Sequence, residues 1–176
     1  MKRIIMAAAA ATLAGCSGGG DADSDGDGEI TTSEVVKQVE AQGIKPEPGQ
    51  YKAVITMTGI DIPGMPPEMA GHGSGMTTTS EYCLTEEDVA KGFEEMMKQG
   101  QNGECSYESF NVDGGDFDGV MVCKTPEGTA RMTMTGTATP TTSNFDATMA
   151  MNIDGTGDAT MKFSAKHERV GDCPAG

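Results

Sequence analysis

From residue 51 onward, apolar and polar positions change over at short intervals, and the period of that change separates strands from helices. Tyr51 to Thr58 is rich in β-branched and aromatic residues and predicts a strand. Pro63, Pro66 and Pro67 break it, and glycines 71, 73 and 75 prolong the loop, before the Thr-rich run Met76 to Tyr82 predicts a second strand. The period then lengthens. Thr85 stands as an N-cap before Glu86, Glu87 and Asp88, and Val89, Phe93, Met96 and Met97 recur at helical spacing. This predicts a helix over about 85–98, ended by Gly100. The rest reads as strands divided by Gly, Asp and Pro turns: Cys105–Val112, Phe117–Lys124, Gly128–Thr139, Ser143–Ile153 and Ala159–Arg169.

The expected fold is mainly β, with about seven antiparallel strands in a meander that closes into a barrel or bends strongly, disposing of its edges. Upstream, Val35 to Gln42 predicts a short N-terminal helix stopped by Gly43. Ile44-Lys45-Pro46-Glu47-Pro48-Gly49 then forms a linker that no regular element crosses. Met132 and Met134, Met149 and Met151, and Met161 alternate along their strands, so within each strand they share a face. In a chain with no Trp and few aromatic residues, these thioethers fill a core or line a cavity that admits an apolar small ligand.

The first residues have a different character. Met1-Lys2-Arg3 is a basic start, Ile4 to Leu13 is a short apolar run, and Leu13-Ala14-Gly15-Cys16 resembles a bacterial lipobox. The apolar run is too short to span a bilayer. The pattern implies cleavage before Cys16, acylation of that residue, and anchorage to a lipid bilayer. Ser17 stands where Asp would retain a lipoprotein in the inner membrane, so the expected location is the outer membrane, facing the periplasm. Loss of residues 1–15 removes Lys2 and Arg3 and no acid, moving the formal charge from −15 to −17. Such a chain does not bind nucleic acid through phosphate contacts, and divalent cations are its natural company. The domain plan is a signal peptide over 1–15, an acidic tether over 16–45 and a β-rich domain over 46–176.

Within that tether, Asp23, Asp25 and Asp27 alternate before Gly28, followed by Glu29, Ile30, Thr31 and Glu34. These twelve positions resemble an EF-hand calcium loop. On that reading Asp23, Asp25 and Asp27 supply side-chain oxygens, Gly28 makes the sharp turn, and Glu29 offers its carbonyl. Thr31 occupies the water-bridged position, and Glu34 closes the site bidentately. The acidic stretch also fits a solvated linker, but a linker has no reason to place one apolar residue at position 8 and Glu at position 12. The entering helix and a partner loop are missing, so weak Ca²⁺ binding is expected, from a loop held open by carboxylate repulsion until the ion arrives.

After Cys16, four cysteines remain: Cys83, Cys105, Cys123 and Cys173. An even number in an oxidising compartment reads as two disulfides, and no Cys-x₂-Cys spacing favours zinc. A hairpin in which Val112 faces Asp116 brings Cys105 opposite Cys123, leaving Cys83 for Cys173. A two-residue Gly114-Gly115 turn would instead set Cys105 opposite Lys124.

Pro48-Gly49-Gln50-Tyr51 at a strand start, Tyr82-Cys83-Leu84-Thr85 before a helix, Cys105 and Cys123, Gly136 in a Met/Thr-rich hairpin and Gly171-Asp172-Cys173 resemble domain of unknown function 3617. The resemblance covers about 46–173. It implies a secreted or lipid-anchored periplasmic protein and carries no assigned activity.

For acid–base chemistry only His72 and His167 are present. Gly71-His72-Gly73-Ser74-Gly75 lacks the nucleophile-elbow spacing, and His167 alternates with Phe163 and Ala165 as a packed ring. No enzyme is expected. Two functions stand: a lipid-anchored protein with a weak calcium loop beside a β-rich domain, or a ligand-binding or scaffolding lipoprotein with an apolar molecule in a Met-lined barrel. The sequence names no protein partner.

Overall fold

A computed structural model describes residues 22–66, 74–91, 104–125, 128–153 and 157–174. The elements are α1 (Thr32–Ala41), β1 (Gly49–Asp61), β2 (Thr77–Leu84), α2 (Glu86–Lys91), β3 (Glu104–Asp113), β4 (Asp116–Thr125), β5 (Gly128–Ala138), β6 (Thr142–Ile153) and β7 (Gly157–Gly171). Each expected strand is present. The expected inserted helix is described through Lys91 as α2; the rest of its expected span, to residue 98, lies outside the described residues, as do the expected signal peptide over 1–15, Cys16 and His72.

All seven strands form one antiparallel sheet in the order β2-β1-β7-β6-β5-β4-β3. β3 to β7 meander, β1 lies beside β7, and β2 extends the sheet beyond it. The sheet does not close, so the expected barrel is not formed, and β2 and β3 remain as edges. The β2 edge is blunted by its Thr-rich, exposed run from Thr77 to Ser80.

Alternation gives the sheet one apolar and one polar face. Along β5, Thr129, Arg131, Thr133, Thr135 and Thr137 are exposed, while Ala130, Met132, Met134, Gly136 and Ala138 are half-buried. Register aligns the methionines across four strands: Met121 pairs with Met132, Met132 with Met149, and Met149 with Met161.

The β3–β4 hairpin corrects the expected register. Val112 faces Phe117, not Asp116, because Gly114 and Gly115 alone make the turn. Their φ values of +59° and +100° are open to glycine, and two successive positive values suit the tightest hairpin turn. The slip this introduces is undone by a bulge between Tyr107 and Ser109, which leaves Glu108 as the extra residue. Cys105 therefore still faces Cys123, and the two form a disulfide. The second disulfide joins Cys83 to Cys173 with Cα atoms 5.4 Å apart, stapling β2 to the chain beyond β7 across the start of β1.

That end of the sheet is tied further. Arg169 Nε donates to the Pro48 carbonyl at 2.7 Å, and the Tyr51 hydroxyl donates to the carbonyls of Glu47 and Pro140. A Cβ on Gly49 would strike the Arg169 guanidinium, so glycine is required for the arginine to cross the strand start.

α1 lies over the β3 side of the apolar face. It begins with a capping box, in which Thr31 Oγ1 accepts from the Glu34 N–H and the Glu34 carboxylate accepts from the Thr31 N–H. It ends at Gly43 (φ +74°), with Gly43 N–H on the Glu40 carbonyl and Ile44 N–H on the Val39 carbonyl. Its buried Val35 and Val39, with Ile30 and Ile44, join Tyr107, Phe110 and Val112 in one core. Each of these aliphatic side chains contributes about 1.5–3 kcal/mol by leaving water.

Candidate metal loop

Residues 22–31 are docked against β3. The Ala22 N–H donates to the Phe110 carbonyl at 3.1 Å. Ile30, 2% exposed, bridges Tyr107: its N–H donates to the Tyr107 carbonyl at 3.3 Å and its carbonyl accepts the Tyr107 N–H at 2.8 Å. The apolar residue at position 8 is thus the anchor of the loop.

Between these two anchors the chain curls through Gly26 (φ +75°) and Gly28 (φ +85°), both in the left-handed region. Asp23 accepts the N–H groups of Gly26 (2.7 Å) and Gly28 (3.0 Å). Asp25 accepts from Asp27 N–H at 3.2 Å, and Asp27 accepts from Glu29 N–H at 2.8 Å. Carboxylate oxygens of Asp23, Asp25 and Asp27 lie within 4.8 Å of one another. Backbone donors therefore offset the repulsion that was expected to hold the loop open.

Of the six expected ligands, three converge. Glu29 is exposed, and its N–H serves Asp27. Thr31 acts as the N-cap of α1. Glu34 is 7% exposed and fully engaged: one carboxylate oxygen accepts the Ser24 N–H (3.0 Å) and hydroxyl (2.8 Å), the other the Thr31 N–H (2.9 Å) and hydroxyl (3.0 Å). These four bonds fill the acceptor sites of a carboxylate. They hold its pKa down at about 2, the Thr31 N–H contributing most, then the Ser24 hydroxyl and N–H and the Thr31 hydroxyl, against a smaller upward push from burial.

The donor set fits a hard cation. It is all oxygen and converges from alternate residues around a glycine turn, while Glu34 stays outside it, held by its bonds to Ser24 and Thr31. Ser24 and Tyr107 escape a sequence reading. Ser24 occupies a non-ligand position, and Tyr107 is distant in sequence and becomes the loop's partner only through the sheet edge.

The described part of the molecule is an open antiparallel sheet with one helix docked on its apolar face and an acidic loop joined to its edge. The chain belongs to the family described as protein of unknown function (DUF3617), whose model matches residues 46–173. Neither the curated proteins nor the solved structures include a match to it. The loop and α1 precede the matched segment.

Proposed function

We propose that the protein is a lipid-anchored, periplasm-facing outer-membrane protein whose Asp23–Glu34 loop takes Ca²⁺ weakly and reports it to the β-domain through α1. The observation that carries the reading is the convergence of the Asp23, Asp25 and Asp27 carboxylates on a loop pinned by Ile30 to Tyr107. In paired EF-hands a second loop supplies the facing strand; here the β3 edge takes that part.

Acylated Cys16 would stand six positions before the docked Ala22. Even fully extended, that stretch reaches only about 20 Å. The loop would therefore work close to the bilayer surface, where divalent cations gather at anionic headgroups.

Ca²⁺ would be held by the three aspartates, the Glu29 carbonyl and Glu34. It would supply the positive charge that the acidic cluster otherwise lacks. Drawing Glu34 into the site means giving up bonds to Ser24 and Thr31, which keeps affinity low, at a Kd of about 10⁻⁴–10⁻³ M.

The test is calorimetry of the purified acylated protein with Ca²⁺. Saturable heat in the wild type, lost in Asp25→Asn and in Glu34→Gln, is expected. No heat up to roughly ten times that Kd range would reduce the loop to a latch on β3. Release of a Cys16→Ser variant from the membrane fraction tests the anchor separately.

A further inference from the structure

We propose that the cavity between α1 and the sheet is a binding site for a small, uncharged, largely apolar molecule carrying one hydrogen-bonding group. The cavity measures about 350 Å³, which falls within the size range of small-ligand sites. α1 forms its roof with Val35 and Val39, and β4, β6 and β7 supply Phe117, Phe145 and His167 beneath. Of the methionines expected to line a cavity, Met134 does so, while Met132, Met149, Met151 and Met161 are not among the lining residues.

Charge decides the ligand class. None of the lining residues is Asp, Glu, Lys or Arg, although the chain carries 27 acidic and 12 basic side chains. An ionic ligand would enter without a counter-charge, a costly burial. The rings favour a flat molecule. Phe110 and Phe117 stack at 6.2 Å, Phe117 and Phe145 tilt at 6.3 Å, and Phe145 meets His167 edge-on at 6.2 Å, so faces and edges both border the space.

One polar pair interrupts the apolar wall. Ser143 Oγ and His167 Nδ1 are 3.2 Å apart, and both residues line the cavity. Burial pushes the His167 pKa down, so near neutral pH the ring is uncharged, with one nitrogen a donor and the other an acceptor. The Ser143 contact engages Nδ1, and Nε2 makes no hydrogen bond among the described residues. A ligand N–H, hydroxyl or carbonyl would be held there.

The chain provides its own reporter. It has no Trp, and its three tyrosines, Tyr51, Tyr82 and Tyr107, all border the cavity. N-phenyl-1-naphthylamine, neutral and aromatic with a single N–H, should quench tyrosine emission of the full-length protein saturably at one equivalent, whether or not Cys16 is acylated. His167→Leu should weaken this probe about fivefold, the effect of one neutral hydrogen bond, while leaving naphthalene binding within about twofold. Ala138→Phe, which fills the cavity from β5, should abolish saturation; if that variant does not fold, the His167→Leu comparison decides. Three outcomes would each overturn the proposal: quenching by the probe that never saturates, equal weakening of probe and naphthalene in His167→Leu, or saturation confined to the unacylated Cys16→Ser chain, which would make the protein's own acyl chain the occupant.

Discussion

Ile30 and Tyr107 exchange both of their backbone hydrogen bonds, at 3.3 and 2.8 Å, across 77 residues of chain. This bridge turns an acidic segment into an added rung on the edge of the sheet. It also covers part of the exposed β3 edge, which would otherwise template pairing with another chain.

Ile30→Ala should destabilise the protein by about 2–4 kcal/mol, as for other large-to-small changes in a core, because the side chain is almost fully buried. Urea unfolding of wild type and variant measures it. A segment that merely tethered the domain would lose no more than about 0.5 kcal/mol. Calcium binding should weaken in the same variant.

Glu34 predicts a specific acid sensitivity. Its pKa is about 2 in the folded protein against an ordinary value of 4.5. A depressed carboxylate stabilises the fold above the ordinary value and loses that contribution as pH falls toward the folded one. The urea midpoint of the wild type should therefore fall between about pH 4.5 and pH 2, and Glu34→Gln should flatten that part of the profile. Parallel profiles for the two proteins would show that Glu34 is not the group responsible.

The two disulfides should differ in worth. Cys105–Cys123 spans 18 residues and Cys83–Cys173 spans 90. Chain-entropy reasoning assigns them about 3 and about 4.5 kcal/mol. Paired Cys→Ser variants, followed by denaturant unfolding, should reproduce that order. Deleting Glu108 should leave the Cys105–Cys123 bridge intact, because it removes the bulge while keeping the facing residues. Non-reducing peptide mapping of the deletion variant checks this.

Gly136→Ala tests how tightly β5 and β6 are packed. A Cβ there would run into the Asn144 carbonyl and the Phe145 side chain and Cα. The ladder must shift to admit it, at a cost of about 1–3 kcal/mol. Because Phe145 borders the cavity, quenching by the naphthylamine probe should weaken as well.

Much of this molecule is legible in the residues. The strands follow from β-branched and Met-rich alternation, α1 from its buried valines and Gly43, and the loop chemistry from Asp23, Asp25, Asp27 and Gly28. These are local signals, carried by residues within a few positions of one another. Register is not local. A two-residue glycine turn and a bulge at Glu108 make opposite shifts, so the expected Cys105–Cys123 pair forms through a register that alternation alone does not specify. Whether the sheet closes is likewise settled by how seven strands pack together, and so is the choice of β3 as the surface that receives Ile30 and α1. The cavity belongs to the same category. Its rings come from β1, β2, β3, β4, β6 and β7 and meet only once the strands are in register, because side chains on separate strands share a wall through tertiary pairing and not through spacing along the chain.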